Sequence, residues 1–167
     1  MDPRAFHKIS YGMYVVASGI DDDCNAQICN TVFQITSDPP RMGISINKQN
    51  YTHDFFVKSG VFSVSVITEE ADMVFIGRFG FRCGREYPKL KGVPVRKGIT
   101  GAPILMEHTC AFLEGKITGS LDCGTHTLFL GEVLDAGLTG EQPPMTYAYY
   151  HLVKNGKSPK TAPTYIG

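Results

Sequence analysis

The sequence has no excess of charge of either sign. Its 167 residues include 16 Lys and Arg and 16 Asp and Glu, so the formal net charge at pH 7 is zero. A chain without a net field does not gather nucleic acid or an anionic membrane by long-range attraction. We therefore predict no nucleic-acid partner and no membrane partner, and expect a small molecule or another protein instead.

Long hydrophobic runs are also missing. The apolar stretches extend for only a few residues, and the amino terminus lacks the charged-then-apolar pattern of a secretory signal. These absences predict a soluble, cytoplasmic protein. Its length suits a single domain with one substantial core.

Patterns typical of metal and dithiol sites are absent. Five cysteines are present, but none forms a C-x-x-C pair, which fits a reducing compartment. His7, His108 and His151 have no acidic residues at metal-ligand spacing. We predict no metal site, and Cys83 is the thiol whose exposure is of most interest.

The common phosphate-binding loops do not occur either. No G-x-G-x-x-G follows a strand and no G-x-x-x-x-G-K-[ST] is present, which disfavours a parallel nucleotide-binding fold. The chain instead contains apolar and β-branched segments separated by turn residues. We predict strands at "YGMYVVAS", residues 25–35, "RMGISIN", "VFSVSVI", "HTCAFLEGKITGS" and "THTLFLGEVLDAG". Short helices are predicted at "DPRAFHKIS", "NYTHDFFVKSG" and "EEADMVFIGRF", with Glu69 and Glu70 at the start of the last. Together these elements predict a mainly β, antiparallel barrel with helical plugs.

Two segments lack a clear period. The stretch "GFRCGREYPKLKGVPVRKGITGAP" is rich in Gly, Pro and basic residues, which predicts a long functional or mobile loop with room for a short strand. The tail from about Gln142 ends in "KNGKSPKTAPTYIG", which is typical of a linker or of an arm that packs on something else.

Amide side chains interrupt the strand in "CNAQICNTVFQITSDPP". Alternation places Asn25 and Gln27 on one face of this strand. Each amide can both donate and accept hydrogen bonds, as is needed to read the edge of a planar heterocycle. The alternative, that these amides pair with neighbouring loops, stays open at this point.

The segment "GISINKQNYTHDFF" places polar residues where a strand ends and a helix begins. Ser45, Asn47 and Lys48 lie at the strand end, and Thr52 lies near the helix start. Free backbone N–H groups at a helix start, with a threonine and a lysine nearby, suit a phosphate. An ordinary helix cap beside a solvated lysine is the alternative.

His126 opens the apolar strand of "CGTHTLFLGEV", just after a glycine turn. That position predicts an imidazole at the rim of the barrel, where a hydride donor or its amide could be contacted. A structural histidine at the end of the strand is the alternative.

Taken in order, these residues resemble the flavin reductase-like family of FMN-binding split barrels. The likeness spans about residues 5 to 155, through "NAQICNTVFQITSDPPRMGISINKQNYTHDF", "VFSVSVI" and "GTHTLFLGEVLDA" followed by "MTYAYYH". In detail the chain is similar to the flavin domain of high-molecular-weight rubredoxins and to related NAD(P)H:flavin oxidoreductases. The tail "SPKTAPTY" resembles the linker that joins such a domain to a rubredoxin.

The resemblance implies the architecture and the assembly. We expect a six- to seven-stranded antiparallel split β-barrel with Greek-key connections and a few short helices. The FMN-binding domain would cover residues 1–155, and residues 156–167 would form a C-terminal extension or linker-like tail. The protein would be a homodimer with FMN near the subunit interface.

The resemblance also implies the site. The isoalloxazine would contact Asn25, Ala26, Gln27 and Ile28. The ribityl chain or phosphate would contact Asn30 and Thr31, and the second flavin-contacting segment would supply Ser45, Asn47, Lys48 and Thr52. Arg85 and Lys89 would be phosphate ligands, although Tyr87 and Pro88 depart from the family pattern between them. His126 would be the catalytic residue, near the flavin and the nicotinamide.

The implied activity is an NAD(P)H-dependent flavin oxidoreductase that passes electrons to free flavin, ferric iron or a rubredoxin-type protein. The alternative is a non-enzymatic FMN electron carrier reduced by another protein. FMN is expected rather than FAD, and no ribose-reading residue distinguishes NADH from NADPH. The flavin supplies the redox chemistry, so little acid–base machinery is needed.

Overall fold

The computed structural model describes residues 1–165, and describes only the backbone of Pro3, Arg4 and His7. The side chain of His7 and the last two residues of the predicted tail therefore lie outside the described part of the chain. A 3-10 helix, Pro3–Lys8, stands where the opening helix is predicted. Among the described residues, no helix combines the length and apolarity needed to cross a membrane.

Nine strands and three α-helices follow within the described residues. The strands are β1 (Tyr14–Ile20), β2 (Asp23–Cys29), β3 (Val32–Ser37), β4 (Pro40–Asn47), β5 (Val61–Ile67), β6 (Val95–Lys97), β7 (Pro103–Leu105), β8 (Thr109–Cys123) and β9 (His126–Leu138). The helices are α1 (Tyr51–Ser59), α2 (Met73–Gly80) and α3 (Tyr147–Leu152).

Seven strands form one antiparallel sheet in the order β2-β1-β5-β8-β9-β4-β3, and β6 pairs with β7 in a separate hairpin. The edge strands β2 and β3 are joined by Asn30 and Thr31 alone. Such a link spans at most about 11 Å, so the sheet must curl until its two edges approach each other. The mainly β, antiparallel split-barrel prediction is confirmed.

Two apolar clusters hold the sheet and helices together. The barrel interior contains Ile44, Phe62 and Phe129, and α1 closes it with Phe56. The opposite face of β1 and β2 packs against α2 and α3. Because β2 lies between both clusters, its position and its alternating side chains are held from both sides.

The predicted strand over residues 25–35 is two strands. β2 pairs with β1, whereas β3 pairs with β4 on the opposite side of the barrel split. The break falls at Asn30 and Thr31, where the chain crosses from one edge of the sheet to the other. Both halves are extended and β-rich, so the change of pairing partner leaves no break in the apolar pattern.

The second helix begins later than predicted. Glu69 and Glu70 precede α2, and the carboxylate of Asp72 caps it by accepting a hydrogen bond from Phe75 N at 2.7 Å. The backbone N–H of Glu69 instead donates to Pro143 O at 3.0 Å. The acidic pair therefore belongs to the connection before the helix.

The carboxy-terminal region contains a helix that the sequence reading missed. Thr146 caps α3 by accepting a hydrogen bond from Tyr149 N at 3.0 Å. The middle loop contains β6, the short strand for which it has room, and β6 pairs with β7, which begins at the last residue of the loop, Pro103. The missed helix has only six residues, which is too short to show a period.

Candidate functional site

A cavity of about 340 Å³ lies between β2, the ends of β4 and α2, the start of β9 and the tail. Its size falls within the usual range for small-molecule and cofactor sites. Residues that are far apart in sequence meet there, as the predicted site requires. The predicted residues that line it are Asn25, Gln27, Ile28, Asn30, Ser45, Asn47, Thr52, Lys89 and His126.

The amides of β2 form one wall of this cavity. Asn25 Nδ2 donates to Thr52 Oγ1 on α1 at 2.8 Å. A Cβ at Gly84 would lie 2.1 Å from Asn25 Oδ1, so only glycine lets this loop approach the strand so closely. Gln27 is only 8% exposed, and the one side-chain hydrogen bond that it makes within the described residues, to Ile28 O, is long at 3.5 Å. Its amide is therefore available to a ligand.

His126 begins β9 directly opposite Asn47 of β4. Its Nδ1 is hydrogen-bonded to Thr125 Oγ1 at 2.9 Å. Its Nε2 is buried and has no well-formed hydrogen bond within the described residues. Burial lowers the pKa of the imidazole, and the backbone of Thr161 offsets part of this shift. A neutral ring whose Nε2 lacks a well-formed hydrogen bond fits a polar group of a bound flavin or nicotinamide.

Lys89 is hydrogen-bonded to the backbone of the strand that forms this wall, β2. Its Nζ donates to Ala26 O at 3.0 Å and to Phe79 O at 3.3 Å, which ties the middle loop to β2 and to α2. Burial lowers the pKa of this ammonium group to about 8, and Cys83 offsets part of the shift. Lys89 therefore contributes structure as well as charge.

Ala26 and Thr31, both predicted flavin contacts, do not line the cavity. Ala26 is fully buried in the cluster shared with α2, and only its carbonyl serves the site, through Lys89. The hydroxyl of Thr31 is hydrogen-bonded to Asn30 Oδ1 at 3.1 Å. Their flavin contacts stay predictions.

Two predicted phosphate ligands also lie outside the cavity. Lys48 pairs with Asp122 at 2.6 Å. Arg85 pairs with Asp54 at 2.8 Å, and its guanidinium carbon lies 4.4 Å from the centre of the Tyr51 ring. This geometry does not favour their predicted roles, which stay predictions.

Sequence reasoning missed the carboxy-terminal wall of the cavity. The cavity is lined by residues 157 and 159–163, although the tail has the composition of a linker. Asn30 Nδ2 donates to Thr164 Oγ1 at 3.0 Å, and Asn47 Nδ2 donates to Thr161 O at 3.3 Å. The arm therefore packs on the site of its own chain. No periodicity or motif in the tail indicates this contact.

The charged side chains that line the cavity are all basic among the described residues. Among the described residues, the cavity is lined by no aspartate or glutamate. Its cations are Arg82, Lys89, Lys157 and Lys160. Such a cavity favours an anionic ligand, as a flavin mononucleotide or a nicotinamide nucleotide would be.

Two cysteines line the same cavity in different environments. Cys29 is buried, which raises the pKa of its thiol to about 12 and leaves it unreactive. Cys83 is exposed, in the loop after α2. Among the described residues, no group of three or more His, Cys, Asp or Glu side chains could hold a metal ion.

Comparisons with known proteins agree with this geometry. The family model "Flavin reductase like domain" matches residues 6–155. The chain is 48% identical over 166 residues to a ferric-chelate reductase (NAD(P)H) of Archaeoglobus fulgidus, covering 99% of this chain and 98% of that protein. It is 47% identical over 165 residues to a high molecular weight rubredoxin of Moorella thermoacetica, covering 99% of this chain and 72% of that protein.

A solved structure shares the fold. The NADH:FAD oxidoreductase of Streptomyces globisporus superposes with a TM-score of 0.77 at 25% identity, covering 86% of this chain and 84% of that one. The family match spans most of the chain, and the first two relatives are nearly half identical to it. This chain belongs to the flavin reductase-like family, as its sequence predicts.

Proposed function

We propose that this chain is an NAD(P)H-dependent flavin oxidoreductase that holds FMN in the cavity beside β2. The observation that carries the proposal is the buried Nε2 of His126, which makes no well-formed hydrogen bond within the described residues, at a cavity that no carboxylate lines among those residues. Similarity to a ferric-chelate reductase (NAD(P)H) along nearly its whole length supports the same activity.

The residues of the cavity suit a flavin chemically. Gln27 offers an amide that can both donate to and accept from the polar edge of the isoalloxazine. Ile28 and Phe79 supply apolar surface for the ring. When bound, FMN supplies the hydride acceptor and the store of electrons.

The protein's own contribution is orientation and the exclusion of water. Thr125 fixes the ring of His126 through Nδ1, so that Nε2 is directed to its ligand rather than to solvent. The neutral ring can hydrogen-bond the carboxamide of a nicotinamide nucleotide and hold its hydride-bearing face against the flavin. No residue is required to carry a proton between the two rings.

The electron acceptor is proposed from the named relatives. One is a ferric-chelate reductase, and another is a high molecular weight rubredoxin of which this chain spans 72%. We infer that ferric chelates, free flavin or a rubredoxin-type protein accept the electrons. Residues 1–155 would form the flavin domain, with 156–167 as its extension.

A homodimer is proposed from an apolar patch beside the cavity. Leu130 pairs with Gly43, which in turn pairs with Phe33, so these residues share one face of the sheet. Leu121 pairs with Leu128 on that same face. Leu121, Leu130 and Phe33 are 60%, 36% and 45% exposed. Ser45, which lines the cavity, pairs with Leu128. A second copy on this patch would stand next to the flavin.

Titration with FMN, followed by steady-state assays, tests the proposed function. Quenching of flavin fluorescence should report saturable binding, and the loaded protein should reduce ferric citrate with NADH or NADPH as the donor. Binding of FMN without donor oxidation would favour the electron-carrier alternative. Absence of FMN binding would contradict both.

A further inference from the structure

The cations predicted to bind the flavin phosphate are engaged elsewhere. Lys48 is paired with Asp122, and Arg85 is paired with Asp54. Neither cation lines the cavity. Recruiting either would require breaking its ion pair and moving the side chain, so neither is poised for a ligand in this structure.

Lys89 does line the cavity but has most of its donors occupied. Two of its three N–H donors are directed at Ala26 O and Phe79 O. A ligand phosphate would compete with both of these carbonyls. Lys89 alone is therefore a poor phosphate ligand, and charge must come from another part of the lining.

The carboxy-terminal wall supplies the remaining lysines. Lys157 and Lys160 both line the cavity, and neither has a carboxylate partner within the described residues. Arg82 lies 5.7 Å from the centre of the Tyr87 ring, an aromatic contact that leaves its donors able to reach a ligand. The two lysines and Arg82 thus face a cavity whose described lining has no acid.

Hydrogen bonds hold this wall against the site. Thr164 is only 6% exposed, and its hydroxyl accepts from Asn30 Nδ2 at 3.0 Å and donates to Tyr147 OH at 2.9 Å. At the other end, Tyr150 OH donates to Lys157 O at 3.0 Å. These contacts fasten both ends of residues 157–164 and keep both lysines at the cavity.

We propose that Lys157 and Lys160 form a phosphate-binding wall of the site. These residues lie outside the segment that the family model matches, residues 6–155. The proposal rests on the proposed function. The phosphate belongs either to FMN, which carries a phosphate monoester, or to the nicotinamide nucleotide, which carries a pyrophosphate, because both groups are anionic at neutral pH.

The test compares ligands with and without phosphate. We would measure binding of FMN, riboflavin, NAD⁺ and NADP⁺ to wild-type protein and to the double variant Lys157→Gln, Lys160→Gln by titration calorimetry. Lys154→Gln is the matched control, because Lys154 is in the same carboxy-terminal stretch but does not line the cavity. Glutamine keeps a polar, hydrogen-bonding side chain that is one atom shorter than lysine, while removing its charge.

The expected result is a loss of FMN affinity on the order of tenfold or more in the double variant, with riboflavin unchanged, since charged hydrogen bonds are lost. Unchanged FMN binding with an equal loss for NAD⁺ or NADP⁺ would support the proposal with the nucleotide as the source of the phosphate.

Other outcomes overturn it. Equal loss for FMN and riboflavin would show that the segment covers the flavin without binding phosphate. No loss for any ligand would show that the lysines are solvated. If wild-type protein bound neither flavin nor nucleotide, the proposed function itself would fail, which the wild-type titration alone reveals.

Discussion

At the scale of single residues, His126 is the side chain on which hydride transfer is expected to depend. Replacement by glutamine should slow anaerobic reduction of bound flavin by NADH or NADPH on the order of a hundredfold, because a preorganised hydrogen-bonding group at the nicotinamide is lost. FMN affinity should change little. Rapid mixing with absorbance detection measures the rate of flavin reduction by NADH and by NADPH.

The matched control for His126 is His53. His53 Nε2 is hydrogen-bonded to Thr127 Oγ1 at 2.9 Å, and its ring packs on Phe129, outside the cavity. His53→Gln should keep the wild-type rate. Equal slowing in both variants would show that the effect comes from disturbed packing and would remove His126 from the proposed mechanism.

Gln27 is expected to contribute to flavin affinity rather than to rate. Gln27→Ala removes the amide that lacks a good partner in the structure, and should weaken FMN binding by about 1 to 3 kcal/mol. Gln34→Ala on the exposed β3 strand serves as the control. Identical dissociation constants for the Gln27 variant and wild type, measured by fluorescence titration, would disprove the contact.

Residue-level prediction succeeded where a strand period fixes the side chain. Alternation in β2 places Asn25 and Gln27 on one wall, and the turn before β9 places His126 at the rim. It did not identify the partners of Lys48 and Arg85. Asp122 is 74 residues from Lys48, so the ion pair depends on the pairing of β8 with β9.

At the scale of elements, the buried Lys89 joins the middle loop to β2 and α2 and makes stability depend on pH. Its pKa falls from 10.5 to about 8 on folding. Between these values the unfolded chain holds a proton that the folded chain lacks, so the free energy of unfolding rises with pH. The expected contribution is about 1.4 kcal/mol for each pH unit in that window, and it is absent in Lys89→Met.

Urea denaturation at several pH values between 8 and 10.5 measures this difference. The exposed Lys91→Met in the same loop is the control and should keep the wild-type slope. If wild type and Lys89→Met had parallel pH dependences, Lys89 would be ionised in the fold as freely as in the unfolded chain. Burial of the ammonium group would then not lower its pKa.

Strands and helices were predictable where packing on the core gives their apolar residues a regular spacing, or where a capping residue marks the end of a helix. α1 ends at Ser59 and is capped by Gly60, with φ 68°, where the glycine predicts the end of the helix. The division of residues 25–35 into β2 and β3 was not predictable, because both halves are extended and β-rich. The two strands differ in their pairing partners: β2 pairs with β1, whereas β3 pairs with β4. Only the closed barrel determines these partners.

At the scale of the whole molecule, the apolar patch around Leu121 and Leu130 is expected to join two copies. Replacing both leucines with lysine should convert a dimer into a monomer, because like charges would face each other across the two-fold axis. Light scattering after gel filtration measures the mass. Val74→Lys, on the exposed side of α2, is the control and should stay dimeric. A monomeric wild-type protein would contradict the proposal.

The path of the tail is the part of the molecule that sequence could not supply. Its Ser, Pro, Thr and Lys composition is typical of a linker or of an arm that packs on something else, and in the structure buried Thr164 fastens it to Asn30 more than 130 residues away. Such a contact involves two small polar side chains and leaves no periodic signal. It nevertheless shapes the cavity as much as the strands do.

Anaerobic mixing of the FMN-loaded protein with one equivalent of NADH, and separately of NADPH, tests the central claim most directly. Absorbance near 450 nm reports the oxidised flavin, and the proposed function predicts rapid bleaching by at least one of the two nucleotides. Bleaching by dithionite but by neither nucleotide would contradict it, and would make the protein a carrier that receives its electrons from another protein.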